Sequence, residues 1–290
     1  MTLMKTILRQ RKGFAAFSLL LLLFLAGAGL ISLKIAVDRI PRKKIPGASI
    51  IYIPSGKYLK YATFGYSSLA ADLIYIWAIQ YYTTYTVVDR FGYLEHIFSI
   101  IAELDPLYTD PYEVGALIAY YEAKDLELAY KIMDLGLEKN PDQWIFPFEA
   151  GHYAQMAKDY KTARKYYEKT MKIQGAPDIV KRLYAAAGFK TMDLKTSWET
   201  WLEVYNTATD ERTKKIASKH LYQVKSASDM NVLREAIKRF RERYQRNPGD
   251  LDELVLMGFI ASLPKDLDGK DYLYDFKTGE VKPPTIWWKR

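Results

Sequence analysis

KDLELAYKIM (residues 124–133), KDYKTARKYY (158–167) and MDLKTSWETW (192–201) carry one pattern at a step of 34 residues. Each holds an aspartate (Asp125, Asp159, Asp193), then an apolar residue (Leu126, Tyr160, Leu194). A small residue follows (Ala129, Ala163, Ser197), and four places on a bulky one (Met133, Tyr167, Trp201). A period of this length predicts a helix-turn-helix unit that stacks into a solenoid, since a single pair cannot bury its own apolar face. The small residue lets the second helix of a pair approach the first, and the bulky one fills the space between layers. The expected fold is all-α, and such an array offers binding surface rather than a catalytic pocket.

Boundaries follow from the repeat. Three units fill 110–211: one over 110–143 closing at Asn140-Pro141, one over 144–177 closing at Gly175-Ala176-Pro177, and one over 178–211. Asp110-Pro111 with Glu113 predicts the first start, as an N-cap carboxylate, a first-turn proline and a glutamate able to close a capping box. Ahead of them, Ser67 to about Tyr85 and Phe91 to Leu104 read as a degenerate helical pair within 66–109. Behind them, Asp210–Lys225 and Met230–Gln245 read as two capping helices that end by 249. In the tail, 250–290, Asp250 and Glu253 predict a capped helix of two turns ending at Gly258. Tyr272, Tyr274 and Phe276 then alternate, turn through Lys277-Thr278-Gly279 and return from Val281 as a small β-hairpin.

The net charge of +8 is confined to one end. Residues 1–44 hold nine basic side chains (Lys5, Arg9, Arg11, Lys12, Lys34, Arg39, Arg42, Lys43, Lys44) against Asp38, and the rest of the chain is balanced. A neutral body lacks the phosphate-neutralising surface that nucleic acid needs, so no nucleic acid is expected. Between the basic clusters, Gly13–Leu33 is free of charge and long enough to span a bilayer, with membrane contact expected over 14–33. A cleaved signal peptide is the rival, because Ala26-Gly27-Ala28 resembles a cleavage site, but the run exceeds a usual signal core and ends at Lys34. The chain thus divides into a basic head and anchor (1–33), and a tether with short lead-in elements (34–65), where 50–53 reads as extended and Pro54-Ser55-Gly56 as a stop. The flanking charges nearly cancel; a short head inside and the body outside is the expected orientation. The absence of cysteine removes disulfides, thiolate metal sites and a lipoprotein anchor.

The repeats resemble the tetratricopeptide (TPR) family on Gly151 and Ala185 in first helices, Ala129 and Ala163 in second helices, and Pro141 at a close. Leu117 and Ser197 depart from its pattern. From Met230 to Val281 the chain is similar to the periplasmic end of type II secretion and type IV pilus pseudopilins, on Asn247-Pro248, Leu251, Glu253-Leu254-Val255, Gly258, Leu263-Pro264, Gly269, Tyr272 and Tyr274. Asp266-Leu267-Asp268-Gly269 replaces that family's Asp-Pro-Trp/Phe-Gly turn. Residues 52–57, 71–73 and 80–82 look like the start of membrane-anchored tetratricopeptide proteins of bacteria. These resemblances imply a single-pass inner-membrane protein of the bacterial envelope with a periplasmic body, near a pilus or secretion system. They imply no activity; the expected function is a non-catalytic scaffold docking another envelope protein, or alternatively a chaperone holding exported substrates.

His96, His152 and His220 have no metal-ligand spacing, and no cofactor, catalytic residue or enzyme activity is expected. Asp266, Asp268 and Asp271 around Gly269 form only part of a calcium loop, so they are weak metal candidates and a plain turn is the simpler reading. The family's concave-face pattern, carried onto these repeats, selects Val114, Ile118, Tyr121 and Glu122, then Phe148, Glu149, His152, Gln155 and Met156, then Arg182, Ala186, Phe189 and Lys190. That mixture of aromatic, acidic and basic groups suits an extended peptide or a partner helix in a groove, although aromatic stripes at helical spacing are more often core.

Overall fold

A computed structural model describes residues 20–37, 53–85 and 90–287. The basic head, the span before Leu20, the tether from 38 and the expected extended run up to Tyr52 lie outside the described residues. The chain divides into two units at Tyr52/Ile53. In the first, helix α1 (Leu20–Val37) is exposed along its length and is long and apolar enough to cross a membrane.

The second unit is mostly helical. It begins with α2 (Gly56–Ala62), in the stretch expected to hold short lead-in elements; the Glu103 carboxylate accepts the Lys57 amide at 2.6 Å and fixes its first turn. Helices α3 (Ser67–Tyr82) and α4 (Leu94–Leu104) follow, shorter than the sequence suggests at the two ends that face their connection. Three pairs succeed them: α5 (Asp110–Tyr121) with α6 (Leu126–Lys139), α7 (Ile145–Met156) with α8 (Tyr160–Met171), and α9 (Ile179–Lys190) with α10 (Leu194–Thr207). Each helix from α3 to α10 packs on the next, and α4 also meets α6 as α5 meets α7.

The 34-residue step has a physical counterpart in every pair. Asp125, Asp159 and Asp193 are the N-caps of α6, α8 and α10, and accept the amides of Leu128, Thr162 and Thr196 at 2.9, 3.1 and 3.1 Å. Each cap satisfies an orphan first-turn donor. The residue before each cap, Lys124, Lys158 or Met192, is left-handed and turns the chain. Ala129, Ala163 and Ser197 are fully buried, as are Met133, Tyr167 and Trp201. At Gly151 the approach is closest: a Cβ there would lie 2.7 Å from the Tyr167 ring. The Asp110 start works differently. Thr109 holds the N-cap position of α5 without a side-chain cap, and Glu113 is half-buried and turned toward α7 rather than closing a box.

The two capping helices are in fact one, α11 (Glu211–Tyr244), capped by Asp210 through the Thr213 amide. Residues 226–231 hold neither proline nor glycine, and Asp229 is buried instead of capping a second start. Its carboxylate pairs with Lys225 and accepts the Tyr272 hydroxyl at 2.7 Å. The first half of α11 completes a core with Ala185, Trp201 and Val204, and the second half forms another with Leu251, Leu254, Tyr272 and Val281. Helix α12 (Asp252–Leu256) is little more than one turn. Asp250 accepts the Glu253 amide, but Glu253 reaches back past Asp250 to the Gly249 amide, so the pair resembles the expected box displaced by one residue, and Leu251 holds the N-cap position. Strands β1 (Leu273–Asp275) and β2 (Glu280–Lys282) pair antiparallel with Tyr274 opposite Val281, joined through Gly279 at positive φ.

Candidate functional site

The turn between α5 and α6 decides which side chains line the row of first helices. The Asp159 and Asp193 amides bond to the carbonyls of Ala154 and Gly188, five residues back, whereas the Asp125 amide reaches Ala119, six back. One additional residue therefore sits in the first turn. The position equivalent to Gly151 and Ala185 is Ala116, fully buried like them, and Leu117 is exposed. The equivalents of Phe148, Glu149, His152, Gln155 and Met156 become Glu113, Val114, Leu117, Tyr120 and Tyr121. Ile118, chosen on a strict step of 34, is buried. Glu122 lies past the end of α5 and pairs with Arg90 at 3.0 Å.

With that register, α5 and α7 present one continuous patch. Tyr120 stacks on Tyr153 with ring centroids 5.0 Å apart, and Tyr121 meets the same ring edge-on at 6.4 Å. Phe148 packs edge-on to Trp144 and tilted against Tyr167, whose hydroxyl donates to Gln155 at 3.0 Å. These contacts hold the rings in place while leaving Met156 and Tyr121 open to solvent. Among them sit two carboxylates. Burial, with Asp110 and Glu149 nearby, raises the pKa of Glu113. Burial also raises that of Glu149, opposed by His152. Desolvation disfavours the charged form, and a second carboxylate adds to it. A cation arriving between them would oppose both shifts.

The α9 candidates have other neighbours. Arg182 lines a pocket of about 230 Å³ with Asp178, Lys181 and Asp210. Phe189 and Ala186 pack against the core formed with α10 and α11, and Lys190 lies 6.0 Å from the Tyr160 ring. The structure thus gathers Tyr121, Phe148, Glu149, His152, Gln155 and Met156, and adds Glu113, Leu117 and Tyr120, which a strict period hides.

A larger cleft, about 870 Å³, opens on the other row, along α4, α6 and α8. It carries Glu95, Asp125, Glu127, Asp134 and Glu138 against Lys131. Most of these carboxylates are already engaged: Glu95 by Lys131, Asp125 by its cap, Asp134 by the Tyr166 hydroxyl, Glu138 by Lys139.

The three aspartates of the tail do not converge. Asp266 is buried, and its Oδ1 accepts the amides of Asp268 and Lys270 while its Oδ2 accepts the Tyr222 hydroxyl at 2.9 Å. Burial raises its pKa, but these donors outweigh it and hold the carboxyl below its usual range. Asp271 pairs with Lys265 at 3.3 Å. Among the described residues no group of three or more His, Asp or Glu is placed to hold a metal ion. His96 bonds the Ile53 carbonyl, and His220 stacks between Trp201 and Trp287, its pKa lowered by burial. Comparison with protein-family models gives no match, and comparison with curated proteins gives none either.

Proposed function

We propose that the helical pairs form a tetratricopeptide-like solenoid, held to a membrane by α1, that docks a segment of another protein without catalysis. The observation that carries this reading is the α5–α7 patch: fixed aromatic rings around two partly desolvated carboxylates. Preorganised rings supply contact area at small entropic cost, and a desolvated carboxylate gains most from an arriving cation. The favoured partner segment therefore brings an apolar side chain to Phe148 and Tyr121 and a lysine or arginine to Glu113 and Glu149. Membrane attachment raises the effective concentration of such a module for a membrane-bound partner.

The reading is tested by photo-crosslinking in cells from Tyr121 and Met156, followed by mass spectrometry. One recurrent adduct is expected from both positions, and it is lost in the Phe148→Ala/Glu149→Lys double variant. Undiminished capture by that variant would remove the patch from consideration.

A further inference from the structure

Helix α2 and the turn joining it to α3 carry four aromatic side chains with little cover. Tyr58, Tyr61, Phe64 and Tyr66 are 69%, 79%, 90% and 71% exposed. Leu69, Leu73 and Ile76 continue the apolar stripe along α3 at helical spacing, each more than half exposed. The turn is built rather than loose. Thr63 Oγ1 donates to the Lys60 carbonyl at 2.9 Å, and the Tyr66 amide returns to the Thr63 carbonyl at 2.9 Å. Phe64 and Gly65 are both left-handed, at φ of 49° and 94°. A bulky aromatic residue at positive φ is unfavourable, and nothing within the second unit covers the ring it projects.

Charge narrows the choice of occupant. From Ile53 to Ala71, around the four aromatic rings, the chain contains Lys57 and Lys60 and no acid, and both lysines are exposed beside the tyrosines; exposed Asp72 follows farther along α3. Tyrosine and phenylalanine interleaved with lysine match the boundary between headgroup and acyl chain, where ring bodies bury and ammonium groups reach phosphate. This segment is also the first described after α1, separated by residues 38–52.

We infer that the α2–α3 turn is a membrane-interface foot: Tyr58, Tyr61, Phe64 and Tyr66 enter the headgroup layer, while Lys57 and Lys60 meet lipid phosphates. The inference rests on α1 being a bilayer span. It assigns the exposed aromatic stripe to lipid rather than to protein, and leaves the α5–α7 patch free for the partner.

The cysteine-free chain makes the test direct. Full-length protein with Phe64→Cys, Leu25→Cys or Met192→Cys is labelled with an environment-sensitive fluorophore in nanodiscs containing phosphatidylglycerol, one chain per disc. All three positions are exposed, and circular dichroism checks the fold. The expected result is loss of emission at 64 to a lipid bearing a nitroxide near its headgroup, with iodide no longer reaching the label. The label at 25 responds to nitroxides deeper in the bilayer, and the label at 192 to iodide alone. A label at 64 open to iodide while that at 25 is in lipid overturns the foot and leaves the anchor standing. A label at 25 outside lipid removes the anchor and the foot together. Shielding at 64 without nitroxide quenching means protein covers the turn and overturns the assignment, as does equal lipid quenching at 64 and 192.

Discussion

Replacing the three N-cap aspartates one at a time tests whether the repeat seen in the sequence is also a repeat in energy. Asp125, Asp159 and Asp193 each accept one first-turn amide at 2.9–3.1 Å. Asp→Ala at each should cost about 1 kcal/mol, the usual worth of such a cap. Asp193 has a second partner, Arg164 at 2.7 Å, with both side chains about a third exposed. Its loss should add no more than about 0.5–1 kcal/mol, because exposed pairs are screened. Asn keeps the cap and removes the charge, so Asp159→Asn should be nearly silent while Asp193→Asn shows the ion-pair part alone. In a unit of this size 1 kcal/mol shifts Tm by about 2–4 °C in a thermal melt, and urea titration followed at 222 nm reads the same difference as a free energy. Hydrogen bonds to Thr162 hold the Asp159 carboxyl below its usual range. For Asp193 burial works against the shift, and the Thr196 bonds and Arg164 outweigh it. A depressed carboxylate contributes stability that is present above its unfolded pKa and lost as pH falls through the folded value. The gap between wild type and Asp159→Ala should therefore narrow below about pH 4, to what the protonated carboxyl still contributes as an acceptor. Costs within roughly 0.3 kcal/mol of zero at Asp125 and Asp159, the usual additivity error, would refute the equivalence.

Glu149→Gln should stabilise the protein at pH 7 by about 1–3 °C in Tm. Its raised pKa means a stability contribution present below the unfolded value and lost as pH rises, so the advantage should vanish near pH 4 in a pH series of melts. Gly151→Ala should cost about 1–3 kcal/mol by overpacking against Tyr167, and a cycle with Tyr167→Leu in urea titration should recover part of it. Tyr272→Phe leaves the buried Asp229 with one donor fewer and should cost about 1–3 kcal/mol, with hydrogen exchange quickening first over 273–282.

The second helices were legible because their signals are local. An aspartate, a small residue and a bulky residue lie within nine positions; the small and bulky ones are buried as their spacing implies, and the structure adds that the aspartate is the N-cap. The hairpin was legible for the same reason, since alternation and a glycine turn fix its register within ten residues. The joined α11 was not. Its middle, SASDMN, is rich in residues that favour helix ends, yet Asp229 finds its partners in Lys225 and in Tyr272 far along the chain. The left-handed turns before the caps were also hidden, because Lys124, Lys158 and Met192 stand where glycine or asparagine would have announced them.

The patch shows the limit most sharply. A strict period reads the second helices, whose caps start the count, but the first helices hang from a turn whose length is free to change. A single additional residue between α5 and α6 rotates the α5 assignment by about 100°, enough to exchange buried Ile118 for exposed Leu117. The same shift moves Glu113 from a supposed cap into the patch beside Glu149, where its raised pKa has a cause. A charged pair of this kind depends on the first helices of two successive units lying side by side. Its chemistry therefore becomes visible only when the turn is counted by its hydrogen bonds, and the spacing of the aspartates alone does not contain it.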